Sequence, residues 1–303
     1  MKLTELFSCV PENMQVQITP KDDIEVSSLA YDSRQVEKGA LFFAVKGLTT
    51  DGNLFVDQAV SRGAAAIASE QPPSVPSPVT AWIQSRSSRR LMAHAANRFY
   101  GEPSKQLSMI GITGTNGKTT TAHLCHSTLQ RHSQAVMLGS IETRVGNQNL
   151  ESSLTTPEAI DVQRILHLAL EQGCKFGVME ASSHALFFDR VFQVHFPVCI
   201  FTNLSQDLLD FHSGLEDYFS AKKLLFRHSY NPGIRWALLN IDDPFGQRLA
   251  GEVDGEVVTF GLTEEACIHP LEYAMSSEGL EANLGFFGKT LRIRSPLVGR
   301  QKL

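Results

Sequence analysis

The chain has 303 residues, 42% of them hydrophobic, which suits two globular domains with a core each. Its 27 Lys and Arg stand against 32 Asp and Glu for a net charge of -5, and the absence of a long run of either sign argues against a nucleic-acid partner. No apolar run approaches the roughly 18 residues of a membrane span, the stretch Met1 to Val10 is too polar for a secretion signal, and five scattered cysteines suggest neither a disulfide framework nor a zinc site; the expectation is a cytoplasmic protein with reduced thiols and no membrane insertion.

In chain order, the first clear punctuation is Gln71 to Thr80, where four prolines in ten residues read as a surface loop. The pattern from Arg89 to Tyr100 has helical spacing and is stopped by Gly101 and Pro103, so it predicts a helix linking a domain at 1–103 to one at 104–303. Beyond it, Leu107 to Thr113, Ala135 to Leu138, Phe176 to Glu180, Val198 to Asn203 and Trp236 to Asn240 read as strands alternating with helical segments. That alternation predicts an α/β fold with a mostly parallel sheet. One helix is expected to start at Thr156 as cap and Pro157 as first residue, and to end before Gly173. After Val257, short alternating runs at Leu271 to Met275, Leu280 to Leu284 and Thr290 to Ile293 predict a small antiparallel extension.

The chemistry concentrates in the second domain. In SMIGITGTNGKTTT, from Ser108 to Thr121, an apolar strand runs into a Gly-rich loop and then into a helical pattern. Such a loop presents backbone N–H groups to phosphates at the positive end of a helix. Lys118 would reach the terminal phosphates of ATP and Thr119 would hold a magnesium ion, although the usual spacing asks for glycine where this chain has Ile112. Glu180, Asn203 and Asn240 each close a predicted strand, and so would lie on one sheet edge with the loop. Asp207, Asp210 and His212 crowd two carboxylates and an imidazole together, as metal or substrate handling would use them and as a solvated loop also would. Lys222 and Lys223, by spacing alone, read as a solvent-facing pair on a helix.

These motifs occur in a specific order. GTNGKTT, LTTPE, MEASSHAL followed by Arg190 and Val191, TNLSQDLLDFH, YFSAKKLLF and NIDD together resemble the Mur ligase family. YDSRQVEKGALFFAVKG and ANRFYGEPS are similar to the uridine-nucleotide-binding domain of its members that extend UDP-MurNAc-L-Ala-D-Glu. The resemblance implies an N-terminal UDP-substrate domain, then an ATP-binding central domain whose end is incomplete, with a third domain absent. It implies ATP-dependent amide formation through an acyl phosphate in peptidoglycan precursor synthesis, with Mg2+ as cofactor and diaminopimelate or lysine as the incoming amino acid.

Carried over residue by residue, the resemblance assigns Gly114, Thr115, Asn116, Gly117, Lys118, Thr119 and Thr120 to ATP. It assigns Ser33, Arg34, Thr155, Thr156, Ser182 and Arg190 to the UDP substrate, Thr119, Glu180 and Lys222 to the metal, and Lys118 and Lys222 to catalysis, Lys222 as the lysine that the family carbamylates. Three departures accompany it. Leu208 stands where the family has a metal-binding histidine, Phe188 stands near a glutamine that touches substrate, and GRQKL stands where the family continues toward its adenine-binding asparagines. Two alternatives stay open at this stage: a non-catalytic UDP-sugar and nucleotide module, and a ligase like folylpolyglutamate synthetase, which shares the Gly-Thr-Asn-Gly-Lys loop.

Overall fold

The structure is a computed structural model, and it describes residues 1–19, 23–73, 79, 81–150, 155–205 and 211–297. Most of the proline-rich stretch, the positions Asp207, Leu208 and Asp210, and the closing GRQKL fall outside the described residues.

Two sheets carry the chain. The first holds β1 (Gln17–Thr19), β2 (Ser28–Ala30), β3 (Ala40–Phe43), β4 (Ala66–Ser69) and β5 (Ala81–Gln84) in the order β1-β5-β4-β3-β2. All neighbours run parallel except β1, which pairs antiparallel with β5. Along β3, Leu41 and Phe43 enter one apolar cluster and Phe42 another, because successive side chains of a strand point to opposite faces. Both faces are therefore covered, as the uninterrupted run ALFF requires. Helices α1 (Leu3–Leu6) and α2 (Val56–Ser61) flank this sheet.

The connecting helix forms as predicted, shifted by one residue: α3 (Ser88–Phe99) is capped by the Ser87 hydroxyl, which accepts from Arg90 N. Gly101 then takes a left-handed φ of 77° and lets the chain turn away.

The second sheet has eleven strands. In sequence they are β6 (Ser108–Thr113), β7 (Ala135–Leu138), β8 (Thr143–Val145), β9 (Gln148–Leu150), β10 (Phe176–Glu180), β11 (Val198–Phe201), β12 (Trp236–Asn240), β13 (Glu256–Phe260), β14 (Ile268–Ser276), β15 (Gly279–Phe286) and β16 (Lys289–Ser295). Their spatial order is β16-β15-β14-β13-β12-β11-β6-β10-β7-β8-β9. The heart, from β7 through β13, is parallel; β8 and β9 form a hairpin at one end, and β14 to β16 the predicted antiparallel extension at the other. Strand β6 sits between β10 and β11, so successive crossovers leave it in opposite directions and open a crevice beyond its carboxyl end.

Helices α4 (Lys118–Gln130), α5 (Ala159–Glu171), α6 (Ser183–Phe187), α7 (Leu215–Lys223) and α8 (Pro244–Ala250) complete the fold. One expectation needs correcting: α5 begins three residues after Thr156, with Glu158 at its cap position. The Thr156 hydroxyl is used elsewhere, donating to Glu180 O at 2.8 Å, so it ties the approach of α5 to the end of β10. The predicted exit holds, since Gly173 has φ 78°. A single cluster of buried apolar side chains runs from Leu3 and Leu6 through Leu91 and Ala96 of α3 and Leu166 of α5 to Leu249 of α8, joining the two sheets. Among the described residues, no helix is long and apolar enough to cross a membrane.

Candidate functional site

The site begins where β6 stops. Gly114 leaves the strand with φ 147°, and a Cβ there would stand 2.0 Å from Thr202 Oγ1, so both conformation and space demand glycine. Gly117 opens α4 with φ 85°. Between them the loop is strapped to the end of β11. Thr115 N donates to Asn203 O at 2.8 Å, Asn116 N to Asn203 Oδ1 at 3.0 Å, and the Thr202 hydroxyl to Asn116 O at 2.6 Å. The ladder ends at Phe201, two residues earlier than predicted: Thr202 N still donates to Thr113 O at 3.0 Å, but the Thr202 hydroxyl and Asn203 bond to the loop.

Lys118 folds back over the loop, its Nζ donating to Gly114 O at 2.9 Å and Thr115 O at 2.8 Å. Lys222 comes to the same carbonyl from α7, with Nζ donating to Gly114 O at 2.7 Å and lying 4.3 Å from the Tyr218 ring centroid. At 1% exposure it is buried, which overturns its reading as a solvent-facing lysine. Lys223 does point outward and pairs with Glu252 at 2.7 Å. Tyr218, absent from the sequence reading, also reaches the loop through its hydroxyl, 3.3 Å from Thr115 Oγ1.

Glu180 ends β10 beside the loop, in register with Ile112 of β6. Its carboxylate is fully buried and accepts from Thr119 Oγ1 at 3.0 Å, Ser140 N at 2.9 Å and Ser140 Oγ at 3.0 Å. No cationic side chain among the described residues pairs with it. A carboxylate taken out of water needs hydrogen-bond donors in its place, and these three hydrogen bonds supply them. A carboxylate and a hydroxyl side by side are hard oxygen donors of the kind magnesium takes, so Thr119 and Glu180 fit the ion. Among the described residues, no three His, Cys, Asp or Glu side chains gather to hold a metal. Ser140 went unnoticed in the sequence, where Gly139-Ser140 following a strand was the available signal.

The neighbouring candidates gather beyond the end of β10, between the approach to α5 and the start of α6. Ser182 Oγ caps α6 by accepting from Ala185 N at 3.1 Å and lies 3.5 Å from Thr156 Oγ1, with half-buried Thr155 adjacent. Arg190 donates from Nη1 to Thr156 O at 3.2 Å, and its Nε stands 2.9 Å from Glu158 Oε1. The latter is an ion pair without hydrogen-bond geometry, since that N–H has no acceptor in line. Asn240 turns inward to donate to Thr202 O at 2.8 Å, so it braces the rim. His212 is buried, with Nδ1 3.4 Å from Asp217 Oδ2 and Nε2 without a partner among the described residues. Nearby His184 is shifted toward its neutral form by burial first and then by the charges of His212, Arg190 and Lys222.

Ser33 and Arg34 lie apart from this cluster, in a cleft of about 550 Å³ that is also lined by Tyr31, Asp32, Arg89 and Glu158. Ser33 Oγ donates to Gln58 Oε1 at 2.5 Å. Arg34 grips Asp32 with two prongs, Nε to Oδ1 at 3.0 Å and Nη2 to Oδ2 at 2.7 Å, which holds that carboxyl below the usual range. Tyr31 OH donates to Asp161 Oδ2 of α5 at 2.7 Å, crossing from the first sheet to the second.

Two family models match the chain: the Mur ligase middle domain over residues 112–303, and the Mur ligase family catalytic domain over residues 25–100. A UDP-N-acetylmuramoyl-L-alanyl-D-glutamate–2,6-diaminopimelate ligase of Solibacter usitatus is 40% identical over 99% of this chain and 60% of its own length. One of the same description from Geobacillus thermodenitrificans is 39% identical over 99% of this chain and 61% of its own. A solved structure of such a ligase superposes with a TM-score of 0.82 at 26% identity, covering 100% of this chain and 61% of that one. The chain thus spans about 60% of the length of the curated relatives it matches.

Proposed function

Since the chain belongs to the Mur ligase family, we propose that it supplies the substrate- and ATP-binding parts of a cytoplasmic, ATP-dependent ligase. That ligase joins an amino acid, diaminopimelate or lysine, to UDP-MurNAc-L-Ala-D-Glu. The observation that carries this reading is the buried Glu180 carboxylate, held by Thr119 directly beneath a loop built for phosphates. Residues 1–103 would take the uridine nucleotide and 104–303 the ATP.

In the proposed reaction, a carboxylate oxygen of the substrate attacks the γ-phosphorus of ATP, the bond to the β-phosphate oxygen breaks, and ADP leaves. The amine of the incoming amino acid then attacks the acyl phosphate carbon, loses a proton and expels inorganic phosphate. Backbone N–H groups of the loop from Gly114 to Thr120 would cradle the phosphates, and Lys118 would exchange its two carbonyl partners for phosphate oxygens. Thr119 and Glu180 would hold magnesium, which when bound neutralises charge on the phosphates. Thr155, Thr156, Ser182 and Arg190 would position the sugar-peptide end, and Ser33 and Arg34 the uridine end. Most of the acceleration would then come from placement and from fixed charges rather than from acid–base groups.

Lys222 is the proposed site of carbamylation. Its Nζ shares the Gly114 carbonyl with Lys118, so turning one ammonium into an anion would put opposite charges where two cations now meet. The test is mass spectrometry of the purified chain with UDP-MurNAc-L-Ala-D-Glu, magnesium-ATP, bicarbonate and either amino acid. A tripeptide product supports the ligase reading; retained uridine-nucleotide binding with no product would favour a binding module that does not turn over.

A further inference from the structure

Arg89 belongs to none of the motifs above, yet it stands in the wall of the cleft and touches both sheets' territory. From the first turn of α3 its Nη1 lies 3.1 Å from Glu158 Oε2, while the other oxygen of that carboxylate faces Arg190 Nε at 2.9 Å. The Phe188 ring underlies both guanidiniums, with its centroid 4.7 Å from that of Arg89 and 6.0 Å from that of Arg190. The other partners of Arg89 are two long contacts, Nη1 to Phe188 O at 3.5 Å and Nη2 to Lys46 O at 3.3 Å. Its Nε is buried with no acceptor.

The charges do not balance. Arg90 pairs with Asp189 at 3.1 Å, leaving Glu158 alone between Arg89 and Arg190. One positive charge is left over in a cluster that is mostly out of water, and two Nε–H groups in it lack acceptors. Such a surplus is unfavourable unless an anion completes it, and the planar fork of arginine matches phosphate oxygens.

We propose that Arg89 is a ligand-binding residue that takes the diphosphate of a nucleoside-diphosphate substrate, and that Glu158 is a positioning residue holding it in place beforehand. This rests on the reading of the cleft as a uridine-nucleotide site. Glu158 fixes the long side chain before the ligand arrives, so less conformational freedom is lost on binding. Because the same carboxylate also faces Arg190, a diphosphate on Arg89 would sit one residue away from the side chains that hold the sugar-peptide end.

The experiment compares uridine with UDP as ligands of the 303-residue chain, by calorimetry, in the wild type, Arg89→Gln and Arg89→Lys. The expected result is that UDP binds the wild type more tightly than uridine. Arg89→Gln should weaken UDP about tenfold or more while leaving uridine unchanged, with Arg89→Lys falling between. A residue that merely held the two sheets together would weaken both ligands alike; that outcome, or no change for either, overturns the assignment. If Arg89→Gln loses its cooperative melting transition, Arg89→Lys carries the same comparison. A wild type that binds uridine but gains nothing from the diphosphate also overturns it, whereas a wild type that binds neither removes the underlying uridine reading and this inference with it.

Discussion

The parallel heart of the large sheet and its antiparallel extension are continuous in hydrogen bonding but differ in everything else. Strands β6, β10 and β11 are covered on both faces, and their carboxyl ends deliver Gly114, Glu180 and Thr202 to one point. Strand β14 is exposed along most of its length, with Leu271, Tyr273 and Met275 open to solvent, and Phe287 and Leu291 are similarly open in the neighbouring turn and strand. Packing on both sides fixes a strand end to within a fraction of an ångström, and the candidate chemistry gathers where that support exists.

Cysteines sharpen the contrast most. Cys199 in β11 is completely buried and burial pushes its thiol pKa up, while Cys267, just before β14, is exposed and held below the ordinary thiol value by hydrogen bonds from Thr259. Alkylation followed by mass spectrometry should modify Cys267 at least about 1,000-fold faster, because Cys199 reacts only through unfolding. Lowered pKa means more thiolate at a given pH, so Cys267 should stay reactive below the pH at which an ordinary thiol slows. Equal rates would show that the heart opens as readily as the extension.

Core truncation comes next. Phe201→Ala in β11 removes a fully buried ring and should cost about 3–5 kcal/mol in chemical denaturation. Gly114→Ala forces a side chain into a backbone region that costs about 1–3 kcal/mol and into Thr202; titration should show weakened ATP binding. Adding Thr202→Ala should not restore it, because the Asn203 backbone still crowds the new Cβ and the loop loses the Thr202 hydroxyl's bond to Asn116 O. The smallest effect is assigned to Tyr273→Ala, at 46% exposure, which should stay within about 1 kcal/mol. A larger loss there would mean the extension is packed in solution.

Five parallel strands of the large sheet were legible because continuous apolar runs with polar ends can hardly be read otherwise, and β7, β10 and β12 match their predicted limits, whereas β13 and the strands of the first sheet went unmarked. The hairpin of β8 and β9 was not legible, since three-residue strands such as Gln148–Leu150 are mostly polar and carry no periodicity. Lys222 shows a second limit. Helical spacing places it on a face, but nothing local says that the face lies under the Gly114 carbonyl, more than 100 positions away. Thr156 shows a third: a good cap residue followed by proline was outcompeted by a bond to Glu180 O that only the folded sheet provides. The meeting of Arg89 with Glu158 had no local signal for the same reason, since it joins segments 69 positions apart.

The apolar cluster from Leu3 to Leu249 takes in side chains of both sheets, beside a smaller cluster belonging to each sheet alone. A core shared in this way couples the two sheets, so heat should meet a single cooperative unit. Any ligand that prefers the folded cleft then stabilises the distant phosphate loop by the same increment, RT ln(1 + [L]/Kd). Uridine nucleotide and ATP would each raise one shared melting temperature, although no atom of either need touch the other.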